Sequence, residues 1–111
     1  MKNLDRKRSE VIIKIQKLTK PIFDEYGVDK AYVFGSYARG DYNENSDIDI
    51  IIVAKKIKSL LVIGAILEAL KQVLEKDVDL IEEECFNDEE MDDFEKEFYD
   101  TIKKERVIIY G

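Results

Sequence analysis

Apolar residues recur at helical spacing through about the first 25 residues of the chain, which predicts an amphipathic helix. The repeating positions are Val11, Ile15, Leu18 and Ile22. Pro21 is expected to kink or restart this helix, because proline lacks the backbone N–H that the interior of a helix requires. Gly27 offers a C-terminal stop, because glycine readily adopts the left-handed conformation that ends many helices.

Two short apolar runs follow, over residues 31–34 and 47–53, and a segment rich in turn-forming residues separates them at 41–46. The second run predicts a strand. One face of that strand is wholly apolar and the other begins with a carboxylate: Ile48, Ile50 and Ile52 on the first face, and Asp49, Ile51 and Val53 on the second. A strand with apolar residues on both faces is typical of the middle of a covered sheet.

The second half of the chain continues the alternation of helices and strands. Ser59 can cap a helix from Leu60 to about Glu75, residues 78–81 predict a third strand, and residues 107–110 form a terminal apolar run. Apolar residues mark a last amphipathic helix: Met91, Phe94, Phe98 and Ile102. The order of elements predicts an α/β fold, a single domain over residues 1–111 in which helices cover a small sheet.

Two segments allow more than one interpretation. The helix from Leu60 is apolar almost all round, and such helices are usually buried on more than one side. Either its second side forms a partner interface, or the helix as a whole packs between the sheet and the N- and C-terminal helices. The acidic run from Glu82 to Asp93 can meet a basic partner, but a solvated helix start is the favoured interpretation.

Composition excludes several classes of function. The 111 residues carry a formal net charge of −7, and an acidic surface repels phosphates, so we do not expect broad nucleic-acid binding. The N-terminal residues lack the apolar core of a signal peptide. The apolar stretch 60–74 is interrupted by polar residues and is too short to span a bilayer. We therefore expect a cytoplasmic protein with no membrane association.

The chain contains one cysteine, Cys85, and no histidine. These counts exclude an intramolecular disulfide, a cysteine-based zinc site and any mechanism that depends on a histidine base. A metal ion bound here would have oxygen ligands, which favours Mg²⁺ or Mn²⁺.

Asp47 and Asp49 open the second strand and are the first candidates for such ligands. Residues two apart in a strand point to the same side, with their Cα atoms about 7 Å apart. Two such carboxylates repel each other, and a divalent cation between them relieves the repulsion. Solvated turn aspartates are the alternative. A functional pair is favoured because Asp49 lies within a run of isoleucines, where an unpaired buried charge is costly.

Gly35 and Ser36 lie where the first predicted strand ends. Backbone N–H groups and the Ser36 hydroxyl could approach phosphate oxygens closely at such a turn, although an ordinary strand-to-turn connection has the same residues. The segment matches neither the P-loop pattern nor the Rossmann fingerprint.

A third carboxylate could come from Asp77 or Asp79. Asp79 is preferred because it lies between apolar residues within the third predicted strand, whereas Asp77 is at the strand's edge. The chosen residue would act as a metal ligand or as the general base for an attacking hydroxyl.

These features together resemble the DNA polymerase β-like nucleotidyltransferase superfamily. The resemblance is carried by Gly35-Ser36, a ten-residue gap, Asp47-Ile48-Asp49 and the later carboxylate in a hydrophobic strand. The fuller patterns GSYARG and SDIDIIIV, the short length and the ERVIIYG ending are similar to the minimal nucleotidyltransferase (MNT) family. The likeness covers nearly the whole chain and implies the polymerase β-like fold with a small mixed sheet.

The resemblance also implies roles for individual residues. In that family the Gly-Ser pair binds the nucleoside triphosphate and three carboxylates hold two Mg²⁺ ions. Carried over, this implies phosphate binding by Gly35 and Ser36. It implies metal binding and catalysis by three carboxylates: Asp47, Asp49 and Asp79. Arg39 matches the family's motif too, and either contacts phosphate or holds the loop.

The implied reaction is transfer of AMP from ATP to an acceptor hydroxyl, with release of pyrophosphate. Many MNT proteins are antitoxins of a helical HEPN toxin, and some adenylylate a tyrosine of that toxin, so a HEPN-type partner is implied here. Because the chain leaves no room for a domain that selects the acceptor, we expect the acceptor on another protein or on a second copy. A homo-oligomer thus stays open. Two alternatives remain, a binding module that neutralises its partner by occlusion alone and an enzyme that modifies a small molecule.

Overall fold

A computed structural model describes residues 2–86 and 89–111 and confirms the predicted α/β fold. The helices are α1 (Lys2–Tyr26), α2 (Gly35–Arg39), α3 (Leu60–Leu74) and α4 (Asp93–Glu105). The strands are β1 (Lys30–Phe34), β2 (Ile48–Val53), β3 (Val78–Glu82) and β4 (Val107–Tyr110). A 3₁₀ turn at Glu83–Cys85 follows β3. No helix among the described residues has both the length and the apolar character needed to cross a membrane.

The four strands form one mixed sheet in the order β3-β2-β1-β4. Strand β1 is antiparallel to both β2 and β4, and β2 is parallel to β3. The terminal apolar run is therefore a strand at the edge of the sheet, which the sequence analysis did not assign. Strand β2 lies in the interior of the sheet, as its two apolar faces predicted.

Helices α1 and α3 cover one face of the sheet and form the larger core with it. The isoleucines of β2 that point to this face are fully or almost fully buried: Ile48, Ile50 and Ile52. They pack with buried residues of the two helices: Ile12, Ile15 and Phe23 of α1, and Ile66 and Leu70 of α3. The predicted division of β2 into two faces is confirmed.

Helix α4 covers the opposite face, where the core is smaller. Ile102 packs there against Phe34 and Ile51. Beside this cluster Arg106, which caps the C-terminal end of α4, donates to Glu83 over 3.1 Å and lies 4.1 Å from the centre of the Tyr32 ring. Asp49 is on this same face, because it is two residues from Ile51 in a strand.

Helix α1 runs through Pro21 without restarting, so the restart that was one of the two expected outcomes does not occur, and the kink stays a prediction. Pro21 cannot donate to the carbonyl of Lys17, but Lys17 is exposed, so water can supply the missing donor. The expected stop is confirmed, because the helix ends at Tyr26 and Gly27 follows with φ of 71°.

Helix α3 fits neither interpretation of its apolar surface completely. It packs on α1 and the sheet, which confirms that part of the second interpretation, whereas α4 lies across the sheet from it, so packing against the C-terminal helix is wrong. Leu60 and Leu61 at its start are 84% and 87% exposed. Ser59 occupies the N-cap position as predicted, but its side chain makes no capping hydrogen bond.

The last helix begins later than its apolar pattern predicted. Met91 is buried but precedes the helix, and the Asp92 carboxylate caps it by accepting from the N–H of Glu95 over 2.8 Å. The helix-start interpretation of the acidic run is thereby supported at its C-terminal end. Asn87 and Asp88 of that run lie outside the described residues.

Truncation of Ile66 is expected to destabilise the fold far more than truncation of Leu61 on the same helix. Ile66 is fully buried, so Ile66→Ala should lower the free energy of unfolding by about 2–4 kcal/mol. Leu61→Ala, the matched control, should change it by less than about 0.5 kcal/mol. Urea unfolding measures both, and equal losses would contradict the described packing of α3.

Candidate active site

The backbone at Gly35 passes very close to the carboxylate of Asp49. Phe34, the last residue of β1, is paired with Asp49 of β2, so the start of α2 lies directly beside that side chain. Gly35 has φ of 68°, and a Cβ atom placed on it would lie 2.3 Å from Asp49 Oδ2. Only a residue without a side chain fits here, which explains why the first residue of the Gly-Ser pair is a glycine.

Asp49 and Asp79 form a close pair of carboxyl groups. They occupy paired positions in the neighbouring parallel strands β2 and β3 and share a hydrogen bond. The pKa of Asp49 is raised to about 6, with burial as the largest cause and the hydrogen bond and negative charge of Asp79 as the next. The charge of Asp47 adds to this rise, and Arg39 opposes it. The protonated form of Asp49 can thus donate to the Asp79 carboxylate.

The other two candidate carboxylates lie outside this pair. Asp47 is exposed just before β2 begins, near enough for its charge to act on Asp49. Asp77 is exposed as well, and its backbone carbonyl accepts from the N–H of Ile48 over 3.0 Å. Between Asp77 and Asp79, the structure brings Asp79 to the side of Asp49.

A cleft of about 540 Å³ contains the pair and the predicted phosphate-binding residues. Its polar walls come from α2, β2 and β3: Gly35, Ser36, Arg39, Asp49 and Asp79. Phe34, Leu80 and Ile81 add apolar surface, and one side of α4 closes the cleft with Phe98, Thr101, Ile102 and Glu105. Asp47 does not line it.

Arg39 links α2 to α4 across the cleft. Its Nη1 donates to Glu105 over 2.8 Å and its Nε donates to Asp41 over 3.1 Å. The guanidinium has five N–H donors, so it can keep both ion pairs and still present N–H groups to the cleft. Both interpretations of Arg39, a contact with phosphate and a hold on the loop, are compatible with this position.

Sequence reasoning missed the contribution of α4 to the cleft. Phe98, Thr101 and Glu105 are spaced three or four apart and so share one side of the helix. The apolar pattern identified only the core stripe, and Glu105, which lies one turn beyond Thr101 and two turns beyond Phe98, is not an apolar residue. The side of the sheet on which α4 packs depends on the chain topology, which no local pattern specifies.

The carboxylate oxygens of Asp49 and Asp79 suit a divalent cation. Among residues 2–86 and 89–111, no three acidic or cysteine side chains are arranged to hold a metal ion. The closeness of Asp79 raises the pKa of Asp49, because a second negative charge nearby makes ionisation of Asp49 more costly, and a bound cation would offset that cost. Their oxygens are ligands that Mg²⁺ prefers.

Comparison with known proteins identifies the family. A family model described as a nucleotidyltransferase domain matches residues 12–109. The chain belongs to this nucleotidyltransferase family. A candidate protein adenylyltransferase of Methanocaldococcus jannaschii is 41% identical over 70 residues, which are 63% of this chain and 75% of that protein. The predicted resemblance and the prediction of an enzyme are confirmed.

Solved structures share the fold of this nucleotidyltransferase. A chain in a crystal structure of a toxin-antitoxin with AMP-PNP has a TM-score of 0.69 and 20% identity, over 86% of this chain and 73% of its own length. A chain in a structure of a tri-AMPylated Shewanella oneidensis HEPN toxin in complex with MNT antitoxin has a TM-score of 0.55 and 19% identity, over 86% and 72%. At these identities the likeness establishes the fold.

Replacement of Gly35 by alanine should displace the Asp49 carboxylate. Gly27→Ala is the matched control, because Gly27 also has positive φ but a Cβ atom there would meet nothing within 4 Å. Both variants should lose about 1 kcal/mol of stability from backbone strain. Only Gly35→Ala should shift the titration of Asp49 and lower nucleotidyl transfer, by about tenfold or more. Carboxyl NMR titration and a transfer assay measure these effects, and normal values for both in Gly35→Ala would contradict the close approach.

Asp49 should make the metal-free enzyme less stable as pH rises from about 4 to about 6. Over that range the folded protein keeps the Asp49 proton, because its pKa is raised to about 6, while the unfolded chain loses it near the ordinary 3.8. Asp49→Asn keeps a hydrogen-bond donor toward Asp79 and removes the ionisation. We expect this variant to be about 1–2 kcal/mol more stable at pH 7.5 and nearly unchanged below pH 4.

Unfolding in urea with a chelator at several pH values tests that expectation. Asp77→Asn is the control, because Asp77 is an exposed carboxylate outside the cleft. If Asp49→Asn is no more stable than wild type at pH 7.5, ionisation of Asp49 does not lower the free energy of unfolding, and the expectation is wrong.

Proposed function

We propose that this nucleotidyltransferase moves AMP from ATP to a tyrosine hydroxyl of a helical HEPN toxin and so acts as its antitoxin. The observation that carries the proposal is the Asp49–Asp79 pair beside the backbone of Gly35 in one cleft. The name of the M. jannaschii relative supports protein adenylyl transfer. The fold shared with a chain of the tri-AMPylated toxin and antitoxin complex supports the partner.

The transfer forms one bond and breaks one bond at the α-phosphorus of ATP. The acceptor oxygen attacks that phosphorus, and the bond from it to the oxygen that bridges to the β-phosphorus breaks, so pyrophosphate leaves with the electron pair. The hydroxyl proton needs an acceptor. Asp79 is suited to take it, because it is exposed to solvent at the cleft while Asp49 is partly buried.

The α2 wall would hold the triphosphate. The first N–H groups of a helix have no partner within the helix, and Gly35 lets the backbone come close to bound oxygens. The Ser36 hydroxyl and the remaining N–H groups of Arg39 line the same cleft. These donors would orient the phosphates and offset their charge beside the two carboxylates.

Asp47, Asp49 and Asp79 would hold Mg²⁺, with Mn²⁺ as the substitute. The bound cation would supply charge neutralisation to the phosphates and to the carboxylate pair. Asp47 is placed outside the cleft in the described structure, so its side chain would complete the site only after it turns toward Asp49. Asp49 and Asp79 are thus assigned as two ligands that already lie together, and Asp47 as a third ligand that would turn toward them.

Asp49→Asn should abolish Mg²⁺-dependent transfer of label from α-labelled ATP to the co-expressed HEPN partner. We expect a loss of at least about 100-fold, because the variant removes a ligand charge where phosphate charge must be balanced. Asp77→Asn is the matched control and should retain activity. Mass spectrometry of the partner tyrosines for added AMP measures the product, and undiminished transfer by Asp49→Asn would contradict the mechanism.

The same variants separate catalysis from occlusion. If Asp49→Asn makes no AMP-tyrosine yet still protects cells from the co-expressed toxin, the antitoxin acts by occlusion alone and the proposed need for transfer is wrong. If protection is lost together with transfer, while Asp77→Asn protects fully, AMP transfer is the basis of neutralisation.

A further inference from the structure

Two phenylalanines of α4 are exposed beside the catalytic cleft. Along the apolar stripe of this helix the exposed fraction rises from 2% at Ile102 to 43% at Phe98 and 78% at Phe94. Phe94 and Phe98 are four residues apart and lie on one side of the helix, and we call this pair the α4 aromatic face. Phe98 touches Phe86, with ring centres 6.1 Å apart, but this contact leaves much of its ring in solvent.

The α4 aromatic face is continuous with the cleft. Phe98 lines the cleft together with Asp79 and Ile81 of β3, while Phe94 lies one helical turn farther out. A hydroxyl that gives its proton to Asp79 must reach the cleft near this strand. The protein segment that carries the hydroxyl would then lie across the two exposed rings.

The charge around the α4 aromatic face indicates what kind of segment fits. Residues 89–100 contain seven carboxylates and a single basic residue, Lys96, for a net charge of −6 out of −7 for the whole chain. Asp92 caps the helix and Asp93 and Glu95 lie in its first turn, where negative charge is favourable for helix stability. Glu97 lies beyond the first turn and directly precedes Phe98, and helix capping explains neither it nor the two exposed rings, whereas Asp100 lies on another side of the helix and pairs with Lys103 over 3.5 Å.

We propose that the α4 aromatic face is the docking surface for a basic, apolar segment of the protein that supplies the acceptor hydroxyl. This inference rests on the proposed function and identifies the surface and the chemistry of the acceptor. Aromatic side chains that become buried at an interface contribute strongly to binding, and the surrounding carboxylates attract lysine and arginine and reject an acidic segment.

Two fluorescein-labelled peptides test the docking surface without nucleotide or metal. Both contain one tyrosine among leucines, and they differ only in having lysines or glutamates at the remaining positions. Fluorescence anisotropy should show that the lysine peptide binds wild type at least about tenfold more tightly than the glutamate peptide. Equal binding of the two peptides would overturn the proposal.

Phe94→Ser and Glu97→Lys test the surface itself. Phe94→Ser should weaken binding of the lysine peptide about tenfold, and Glu97→Lys should weaken it and reduce its dependence on salt. Leu61→Ser is the matched control, because Leu61 is an equally exposed apolar residue at the start of a different helix. Leu61→Ser should bind the lysine peptide as tightly as wild type does. Wild-type binding by Phe94→Ser, or an equal loss in Leu61→Ser, would overturn the proposal.

Two further measurements separate this proposal from its alternatives. Sedimentation of wild type and Phe94→Ser shows whether a second copy of the chain covers the face, and a dimer that Phe94→Ser dissociates would overturn the proposal. AMP transfer to the bound lysine peptide is measured in parallel. Peptide binding that depends on Phe94 without any AMP transfer would support the docking surface and contradict the proposed function.

Discussion

The close approach between the backbone of Gly35 and the carboxylate of Asp49 is the constraint on which the cleft depends. It requires a glycine at the end of β1, because a Cβ atom would lie 2.3 Å from Asp49 Oδ2. It also fixes the α2 wall of the cleft next to the carboxylates, since Phe34 and Asp49 are paired in the sheet. Helix α2 and strand β2, which a polar loop separates in the sequence, are thus brought together in one site by the pairing of Phe34 with Asp49.

The carboxylate pair shows how function acts against stability in this fold. Asp49 is partly buried against Asp79, and the pKa of about 6 means that ionising it near neutral pH costs free energy. A hydrophobic residue at this position of β2 would suit the small core of Ile51 and Ile102 better. The chain has a carboxylate there, and the repulsion between Asp49 and Asp79 would be relieved by the cation that the proposed function requires.

Local sequence patterns predicted most of the cleft residues that α2, β2 and β3 contribute, and few of those that α4 contributes. Gly35, Ser36, Asp49 and Asp79 could be identified because each breaks an apolar run at the end or within a strand, and strand order then brings them together. Phe98 and Glu105 could not be identified as cleft residues. The helical period gives the apolar stripe of α4, but it does not give the face of the sheet that the helix covers, nor how far the helix extends beyond the sheet.

The same helix therefore carries two different roles along its length. Its C-terminal part is held by Ile102 in the core and by the ion pair of Glu105 with Arg39, so it forms a fixed wall of the cleft. Its N-terminal part is largely exposed and presents the α4 aromatic face, of which Phe98 lines the cleft with Asp79. Because a shared helix is rigid, anything that docks on the outer part is positioned relative to the wall. If the proposed function holds, the anchoring of α4, far along the chain from the Gly-Ser turn, would set the alignment of the acceptor hydroxyl with the bound nucleotide.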